Sequence, residues 1–226
     1  MWDNHWMLNK FASGLFTIVV LAAVFTISPS VLNLPVFALK KVNVTSVSRV
    51  DEEFKYITRE QINDLIRSEV TGSFFTVDLD AISNAFKKLS WVRTVSVRRH
   101  WPSSLEVKLE EHVALARWGN SALVNIYGEV FNAMTDKRLP EFSGPEESSH
   151  EVSQRYAVFR KLLQPLHQNI THVYFSPRHA WRVHIDSGTV LELGREQVET
   201  RLGLYVSVHN HIASQFKKQV AYVDLR

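Results

Sequence analysis

The sequence predicts an α+β protein: a single N-terminal transmembrane helix, then a β-α-α-β-β unit, then a mixed β-sheet domain with flanking helices. Three observations predict this fold class. A long apolar run without charge lies near the N-terminus, amphipathic elements follow it, and short alternating strands dominate the C-terminal half. The shifts between these patterns indicate a short tail at 1–10, an anchor at 11–39 and two folded units at 40–111 and 112–226.

The anchor is predicted by the absence of any charged residue between Lys10 and Lys40. The centre of this run, at 14–27, reads GLFTIVVLAAVFTI. A helix needs about 20 apolar residues to cross the hydrocarbon core of a bilayer, and the charge-free run exceeds that length. Trp2 and Trp6 are of a residue type that lies at membrane–water interfaces. We therefore expect an uncleaved transmembrane helix.

Two alternatives compete with this interpretation. A cleaved signal peptide is suggested by the small-x-small pattern VFA at 36–38, but the apolar run is longer than a usual signal-peptide core. A buried core helix would carry a polar face, and this segment has none. The flanking lysines, Lys10 on one side and Lys40 and Lys41 on the other, leave the direction of crossing open.

The first folded unit is predicted from apolar periodicity. Thr58, with Gln61 three residues on, forms a capping box that opens a helix, and 100–103 forms a turn that contains a proline. The apolar faces of two successive helices are Ile62, Leu65, Ile66 and Val70, then Leu79, Ile82, Phe86 and Leu89. The predicted strands are 42–47, 92–99 and 105–111.

The second unit is predicted as short strands interrupted by two helices. Gly119 and Asn120 form a hairpin signal, and the Pro-, Gly- and Ser-rich segment at 139–149 predicts a loop. Helical spacing predicts helices at about 152–163 and about 196–216. The predicted strands are 114–118, 123–126, 130–131, 181–185, a strand carrying Leu191 and Leu193, and a terminal strand at 220–225.

Composition excludes several classes of function. The formal net charge is +3, with 26 basic side chains scattered among 23 acidic ones, which indicates a solvated surface rather than a nucleic-acid-binding one. The chain has no cysteine, so a thiol nucleophile is impossible. The dispersed glycines form no phosphate-binding loop, and no nucleophile-elbow motif is present.

The histidines do not predict a metal site. His209 and His211 are two apart on a predicted helix, so they point in different directions and cannot share one ion. His179 and His184 have no acidic or histidine partner at ligand spacing along the sequence. We therefore expect no catalytic, cofactor-binding or metal-binding residues, and a protein that is not an enzyme.

Short motifs spread along the chain resemble a known family. The segments GSFFTVD at 72–78, LSWV at 89–92, VRRHWP at 97–102 and LEV at 105–107 resemble a POTRA domain. More narrowly, they are similar to the POTRA domain of the bacterial FtsQ/DivIB cell-division family. Downstream, the motifs that match this family's β-domain are LVN at 123–125, GEVF at 128–131, LP at 139–140, GP at 144–145 and YVDLR at 222–226.

The resemblance covers essentially the whole chain and implies a single-pass protein of the bacterial inner membrane. Residues 1–10 would be a cytoplasmic tail, 11–39 the transmembrane anchor, 40–111 a periplasmic POTRA domain and 112–226 a periplasmic β-domain. The resemblance also implies a scaffold at the division septum that links early and late divisome proteins by binding FtsB and FtsL. It implies neither a nucleic-acid partner nor a small-molecule substrate.

The terminal strand is the expected partner site. An exposed edge strand has unpaired N–H and C=O groups, to which an extended partner segment adds as another strand. The segment at 220–226 is the candidate edge because nothing after it in this sequence covers it, although family members usually continue with an aromatic residue and a short tail. The resemblance implies that basic residues here contact an acidic segment of FtsB. The expected FtsB-binding residues are Arg178, Tyr222, Val223, Leu225 and Arg226.

Two other functions compete with the division scaffold. One is a POTRA-type chaperone or docking module of an outer-membrane assembly or secretion system. Such proteins usually carry several POTRA units or a C-terminal β-barrel, for which the second half of this sequence is too short. The other is an anchored cell-wall enzyme, which would need a pocket with carboxylates or a nucleophile that no motif here indicates.

Overall fold

The described part of the chain falls into two compact units. The computed structural model describes residues 9–10, 12–22, 38–47, 54–216 and 220–226, and for 210–216 the backbone alone. The two units are Met1–Glu111 and His112–Arg226.

The anchor predicted at 11–39 lies largely outside the described residues. Of that segment, 12–22 are helical with exposed side chains, and 38–39 lead into the first strand. Among the helices that the structure describes, none combines the length and the apolar character needed to cross a bilayer.

The first unit is a three-stranded sheet with two helices, which confirms the predicted order β-α-α-β-β. Its elements are β1 (Lys41–Ser46), α1 (Arg59–Glu69), α2 (Leu79–Lys87), β2 (Val92–His100) and β3 (Ser104–Glu111). The strand order is β1-β3-β2, with β1 parallel and β2 antiparallel to the central strand β3. The apolar faces of α1 and α2 pack on this sheet, and the core includes Ile62, Ile82, Phe86, Leu105, Val107 and Leu109.

Both helices of the first unit begin at side-chain caps. The Gln61 N–H donates to the Thr58 hydroxyl at 3.2 Å, and the Thr58 N–H donates to the Gln61 side chain at 3.0 Å, which confirms the predicted capping box. The Asp78 carboxylate caps α2 by accepting the N–H groups of Asp80 and Ala81. Each cap satisfies N–H groups that have no acceptor within the helix.

The second unit is an eight-stranded mixed sheet with two long helices. Its strands are β4 (Ala114–Trp118), β5 (Ala122–Asn125), β6 (Val130–Phe131), β7 (Glu141–Ser143), β8 (Ile170–Phe175), β9 (Trp181–Ile185), β10 (Val190–Gly194) and β11 (Tyr222–Asp224). Its helices are α3 (Ser149–Leu163) and α4 (Val198–Phe216), with 3₁₀ turns at Glu146–Ser148 and Gln164–Leu166. The strand order is β11-β10-β9-β8-β7-β4-β5-β6.

The prediction for the middle of this sheet is wrong in two places. The segment at 139–149 is not a loop throughout, because Glu141–Ser143 forms β7, a parallel strand between β4 and β8. Its central residue, Phe142, is 1% exposed. The structure also has a strand at Ile170–Phe175 where the sequence interpretation had none. Both strands are held by ladders on two sides, so tertiary pairing decides their conformation more than local pattern does.

The two helices cover one face of the eight-stranded sheet. Their buried residues are Val152, Tyr156, Phe159 and Leu163 from α3 and Val198, Leu202 and Tyr205 from α4. They meet inward-facing strand residues that alternate along β8, β9 and β10: Val173, Phe175, Trp181, Val183, Leu191 and Leu193. This core supports the strand at the sheet edge, β11.

Candidate functional site

Strand β11 lies at the edge of the eight-stranded sheet. It pairs with β10 in parallel register, Tyr222 opposite Val190 and Asp224 opposite Glu192. In the part of the chain that the structure describes, no strand lies on its other side. The predicted terminal strand at 220–225 is thus shorter than expected, with its ladder confined to Tyr222–Asp224.

The hydrogen bonds of β11 show which of its backbone groups face the open edge. The Ala221 C=O accepts from the Val190 N–H at 3.0 Å, and the Leu225 N–H donates to the Glu192 C=O at 2.9 Å. Backbone groups alternate in direction along a strand, so these odd-numbered residues face β10. The N–H and C=O groups of Tyr222 and Asp224 therefore point to the open edge.

The side chains of β11 divide between two faces of the sheet. Val223 and Leu225 are half-buried and pack against the core beneath α4. Tyr222, which is 54% exposed, and Asp224 lie on the opposite, solvent-facing side. The edge strand therefore has an apolar face, with Val223 and Leu225, and a polar face, with Tyr222 and Asp224.

A narrow apolar groove runs between β11 and α4. Its volume is about 200 Å³, and its walls are Leu204, Tyr205, Val208 and His209 from α4 and Val220, Val223 and Leu225 from the terminal segment. Leu204 is 58% exposed although it is aliphatic. The Tyr205 hydroxyl donates to Gln168 at 3.4 Å, and burial raises the pKa of Tyr205. The groove adjoins the apolar face of the open edge.

The sequence interpretation did not indicate the exposed part of the α4 wall of this groove, Leu204 and Val208. The spacing that predicts the helix at about 196–216 includes Val198, Leu202 and Tyr205, and the structure packs these three residues into the core. Leu204 and Val208 are four residues apart and so form a second apolar stripe on the same helix. These two apolar positions lie outside the core-facing side of α4, and they are the sequence signal for its half of the groove; their place beside Val223 is not visible in the sequence.

Arg226 is held by the side chain of Asp224, the last residue of β11. Its Nε lies 3.0 Å from Asp224 Oδ1, its Nη2 lies 2.7 Å from Oδ2, and its backbone N–H donates to Oδ1 at 3.0 Å. The hydrogen bonds from Arg226 lower the pKa of the Asp224 carboxyl to about 2, and Asp224 raises the pKa of Arg226. The guanidinium and the carboxylate are both exposed to solvent.

Gly194 leaves the space in which the Arg226 side chain lies. It has a φ of +69°, a region that residues with a Cβ rarely adopt. A Cβ at this position would lie 3.1 Å from Arg226 Cγ and 2.7 Å from Arg201 Nη1. The end of β10 is thus a glycine over which the Arg226 stem passes.

Arg178 lies at the same end of the sheet as Arg226. It is exposed in the short turn between β8 and β9. Trp181, at the start of β9, pairs with Gly194 at the end of β10, and β11 runs parallel to β10. Neighbouring strands are about 4.8 Å apart, so β9 and β11 are separated by about 10 Å across the sheet. The topology therefore places Arg178 and Arg226, the two arginines predicted to bind the partner, at the same end of the sheet but on strands that are not neighbours.

A row of charged side chains crosses the solvent-facing side of the sheet. Arg182 on β9 forms an ion pair with Glu192 on β10, and Glu192 stands opposite Asp224 on β11. Arg182 also lies over the Tyr174 ring, 5.6 Å from its centroid. This row depends on strand register and was not predicted from the sequence.

A second row on that face brings two histidines together. The rings of His172 and His184 have centroids 5.3 Å apart, so His184 has a histidine neighbour that sequence spacing did not reveal. His172 Nε2 lies 2.6 Å from the Ser143 hydroxyl, and its Nδ1 lies 3.8 Å from Glu141 Oε2. Burial, then the charges of His172 and Arg182, lower the pKa of His184. Among the residues that the structure describes, no group of three or more histidine, aspartate or glutamate side chains is placed to hold a metal ion.

Comparison with known proteins places both units in one family. Residues 116–226 match the family described as "Cell division protein FtsQ/DivIB, C-terminal", and residues 37–112 match "POTRA domain, FtsQ-type". A cell division protein FtsQ of Nitrosospira multiformis is 49% identical over 226 residues, covering 100% of this chain and 95% of that protein.

Two further relatives carry the same name. The protein of Burkholderia pseudomallei is 36% identical over 233 residues, covering 100% of this chain and 91% of its own length. That of Bordetella pertussis is 35% identical over 201 residues, covering 87% of this chain and 73% of its own length. The chain therefore belongs to the FtsQ/DivIB family of cell division proteins, as its motifs indicated.

Proposed function

We propose that this chain is a non-enzymatic scaffold of the divisome that binds FtsB and FtsL, and that a segment of FtsB adds as a strand to the open edge of β11. The observation that carries the proposal is the direction of the backbone groups of Tyr222 and Asp224 away from β10. An extended peptide alongside them gains main-chain hydrogen bonds without displacing any part of the sheet.

The groove gives the added strand a preference for particular side chains. Side chains of an added strand alternate between the two faces of the sheet, as those of β11 do. Every second residue of the partner would lie beside Val223 and Leu225, above the apolar groove that Leu204 and Val208 complete. An apolar residue at those positions would bury surface that is now exposed, which favours binding.

Two arginines suit an acidic segment of the partner. Arg178 and Arg226 lie at one end of the sheet, and Arg178 is exposed. Arg226 already has a carboxylate partner in Asp224, so a carboxylate of FtsB would share or replace that contact. Arginine binds carboxylates through two parallel N–H groups, which adds orientation to affinity. The proposed site is therefore Arg178, Tyr222, Val223, Leu225 and Arg226, with Leu204 and Val208 added from α4.

The proposed location follows from the apolar run and the family. We place 1–10 in the cytoplasm, 11–39 in the inner membrane as a single-pass anchor, and the POTRA and β-domains at 40–111 and 112–226 in the periplasm at the septum. The support for the anchor is the charge-free sequence between Lys10 and Lys40. In this arrangement the open edge faces the periplasm and is tethered through the POTRA domain to the membrane in which the division proteins assemble.

A proline substitution tests the strand-addition step. Tyr222→Pro removes one outward N–H together with the phenol ring, whereas Tyr222→Ala removes the ring alone. We expect purified FtsB with FtsL to bind the full-length Tyr222→Pro chain much more weakly than the Tyr222→Ala chain, by titration in detergent. Equal affinities of the two variants, with unfolding curves like that of the unsubstituted chain, would overturn the proposed strand addition.

Depletion in the source bacterium tests the cellular role. We expect filamentous cells with unseparated septa when the protein is withdrawn, and restored division when the unsubstituted chain is supplied. Normal division combined with defects in outer-membrane proteins would instead support the competing POTRA-type chaperone function.

A further inference from the structure

The turn between β2 and β3 carries a tryptophan that the fold leaves in solvent. Trp101 is 77% exposed, although tryptophan is on average a highly buried residue. Its neighbour in space, the connector between α1 and α2, exposes a second aromatic side chain, Phe75, at 45%. Neither ring contributes to the buried core of the first unit.

Hydrogen bonds hold the connector and the turn at one end of the sheet. The Arg99 side chain on β2 donates from Nε to the Phe74 C=O at 2.8 Å and from Nη2 to the Val77 C=O at 2.8 Å. Arg99 is two residues before Trp101, so the segment that carries Phe75 is fastened beside the base of the turn. The two exposed rings therefore belong to the same end of the first unit.

The chain enters the first unit at this same end. The Lys40 N–H donates to the Ser103 C=O at 2.9 Å, and Lys41 pairs with Ser104 in the β1–β3 ladder. Two residues before Lys40, Ala38 forms an antiparallel bridge with Ser73, which lies in the connector. The last residue of the charge-free run, Leu39, packs against the core of the unit, so no spacer separates that run from the fold.

The charged residues of the chain entry and of the turn are basic, whereas the connector ends at Asp78, whose carboxylate caps α2. Every charged side chain of 38–41 and of 98–104 is a lysine or an arginine: Lys40, Lys41, Arg98 and Arg99. Bilayer headgroup regions attract such side chains when they contain anionic lipid. Tryptophan is enriched at this depth because its ring is apolar and its indole N–H is polar.

We propose that this end of the POTRA unit is a membrane-contact surface, with the Trp101 ring seated in the lipid headgroup region and Phe75 beside it. The proposal rests on the membrane anchor of the proposed function, which places Leu39 at the bilayer surface. From there to Lys41 the chain extends by at most about 7 Å. The turn that pairs with Lys40 and Lys41 therefore lies within reach of the headgroups.

This contact would fix the orientation of the unit. A single tether allows a domain to rotate about its point of attachment, whereas a second contact beside the tether restricts that rotation. The β1 strand would then run away from the bilayer, with Val47 about 20 Å from the membrane end at the rise of an extended strand. The surface takes a phospholipid bilayer as its partner, not a protein segment.

The absence of cysteine from the chain allows a direct test. Full-length His100→Cys and Val47→Cys chains carry one fluorescent label each, at the two ends of the same sheet, and Val47 is 54% exposed. Each is reconstituted into vesicles of phosphatidylethanolamine and phosphatidylglycerol that contain a lipid-borne quencher in the headgroup region. Retention with the vesicles after alkaline washing reports the anchor independently of the quenching.

We expect strong quenching of the label at His100 and little at Val47. Adding Trp101→Ala to His100→Cys should reduce the quenching, and Trp101→Tyr should largely preserve it because tyrosine also suits the interface. Equal quenching at the two positions in chains that resist alkaline washing would overturn the membrane contact and leave the anchor standing. Loss of the chains on washing would overturn the anchor and this inference with it.

Discussion

The Arg226 guanidinium holds the Asp224 carboxylate at two points, with Nε 3.0 Å from Oδ1 and Nη2 2.7 Å from Oδ2. Both residues belong to the terminal segment that we propose binds FtsB. Asp224 therefore occupies the guanidinium that a carboxylate of the partner would otherwise contact. The ion pair lies in solvent, where such pairs contribute little to folding. Its importance is therefore expected in binding rather than in stability.

The carboxyl of Asp224 should titrate at about 2, well below an ordinary aspartate. Because the folded pKa lies below the unfolded one, about 3.9, the pair is complete above about pH 4 and is lost as the pH falls toward 2. Carboxyl carbon NMR should show this, and Arg226→Ala should return the pKa of Asp224 toward 3.9, its approximate unperturbed value. A wild-type pKa that Arg226→Ala leaves unchanged would contradict the pairing.

Asp224→Asn should strengthen FtsB binding and Arg226→Glu should weaken it. Asp224→Asn removes the carboxylate that competes with FtsB for the Arg226 guanidinium. Arg226→Glu replaces that cation with a negative charge, which repels an acidic segment of FtsB. Calorimetric titration at two salt concentrations measures both effects, which should shrink at high salt. If both substitutions weakened binding equally, the pair would act by shaping the strand and not by competing for the partner.

Leu204→Asp should weaken FtsB binding because it places a charge in the apolar groove beside β11. Leu204 is 58% exposed, so the substitution should leave thermal unfolding nearly unchanged. Ser207→Asp is the matched control, since Ser207 is exposed on the same helix but does not line the groove. Unaltered binding in Leu204→Asp would remove the groove from the proposed site.

Unfolding of the second unit should depend on the protonation of His184. Its pKa is lowered from 6.5, first by burial and then by the charges of His172 and Arg182, with Glu192 acting in the opposite direction. Below about pH 6.5 the unfolded chain binds this proton more readily, so stability falls as the pH drops toward the folded pKa.

His184→Gln should flatten this part of the pH profile. Thermal unfolding between about pH 7.5 and pH 5.5 compares the wild type with the variant, and the drop should be smaller in the variant. His209→Gln provides a control, since His209 lies on α4 and is not among the groups that shift the pKa of His184. Parallel profiles for the wild type and His184→Gln would show that other groups cause the pH dependence.

Glu111→Gln should destabilise the first unit by about 2 kcal/mol, the loss expected when hydrogen bonds to a carboxylate are weakened. The Glu111 carboxylate accepts the N–H groups of Lys55, Tyr56 and Ile57, each at 2.9 Å, and an amide would oppose its own N–H₂ to at least one of them. Urea unfolding measures the loss, and amide hydrogen exchange at 55–57 should accelerate.

Glu106→Gln serves as the control for that measurement. Glu106 lies on the same strand and forms a half-exposed ion pair with Lys108, at 3.3 Å, so a loss of less than about 1 kcal/mol is expected. Similar effects of the two substitutions would contradict the special role of Glu111 in fastening the segment before α1 to β3.

The first unit could be predicted from the sequence because its information is local. The capping box of Thr58 and Gln61, and the spacing of the apolar residues in α1 and α2, lie within single elements. The second unit was harder, since β7 is three residues long and owes its conformation to β4 and β8 on either side. The spacing of apolar residues within one strand does not specify which other strand it pairs with.

The candidate site shows the same division. The terminal strand could be predicted from its residue types, and the structure places it at the sheet edge beside β10. The groove could not, because Leu204 and Val223 are brought together only by the docking of α4 on the sheet. The pairing of Arg182 with Glu192 likewise depends on register, which no sequence period specifies.

The ladder of β11 spans only Tyr222–Asp224. Long open edges recruit identical chains and lead to aggregates, and very short ones are among the devices by which natural sheets avoid this. The main-chain hydrogen bonds of two outward-facing residues do not by themselves hold another strand, so binding also needs partner side chains that fit the groove and the arginines. We therefore expect copies of this chain not to associate through β11, which leaves the edge vacant for a segment whose side chains fit.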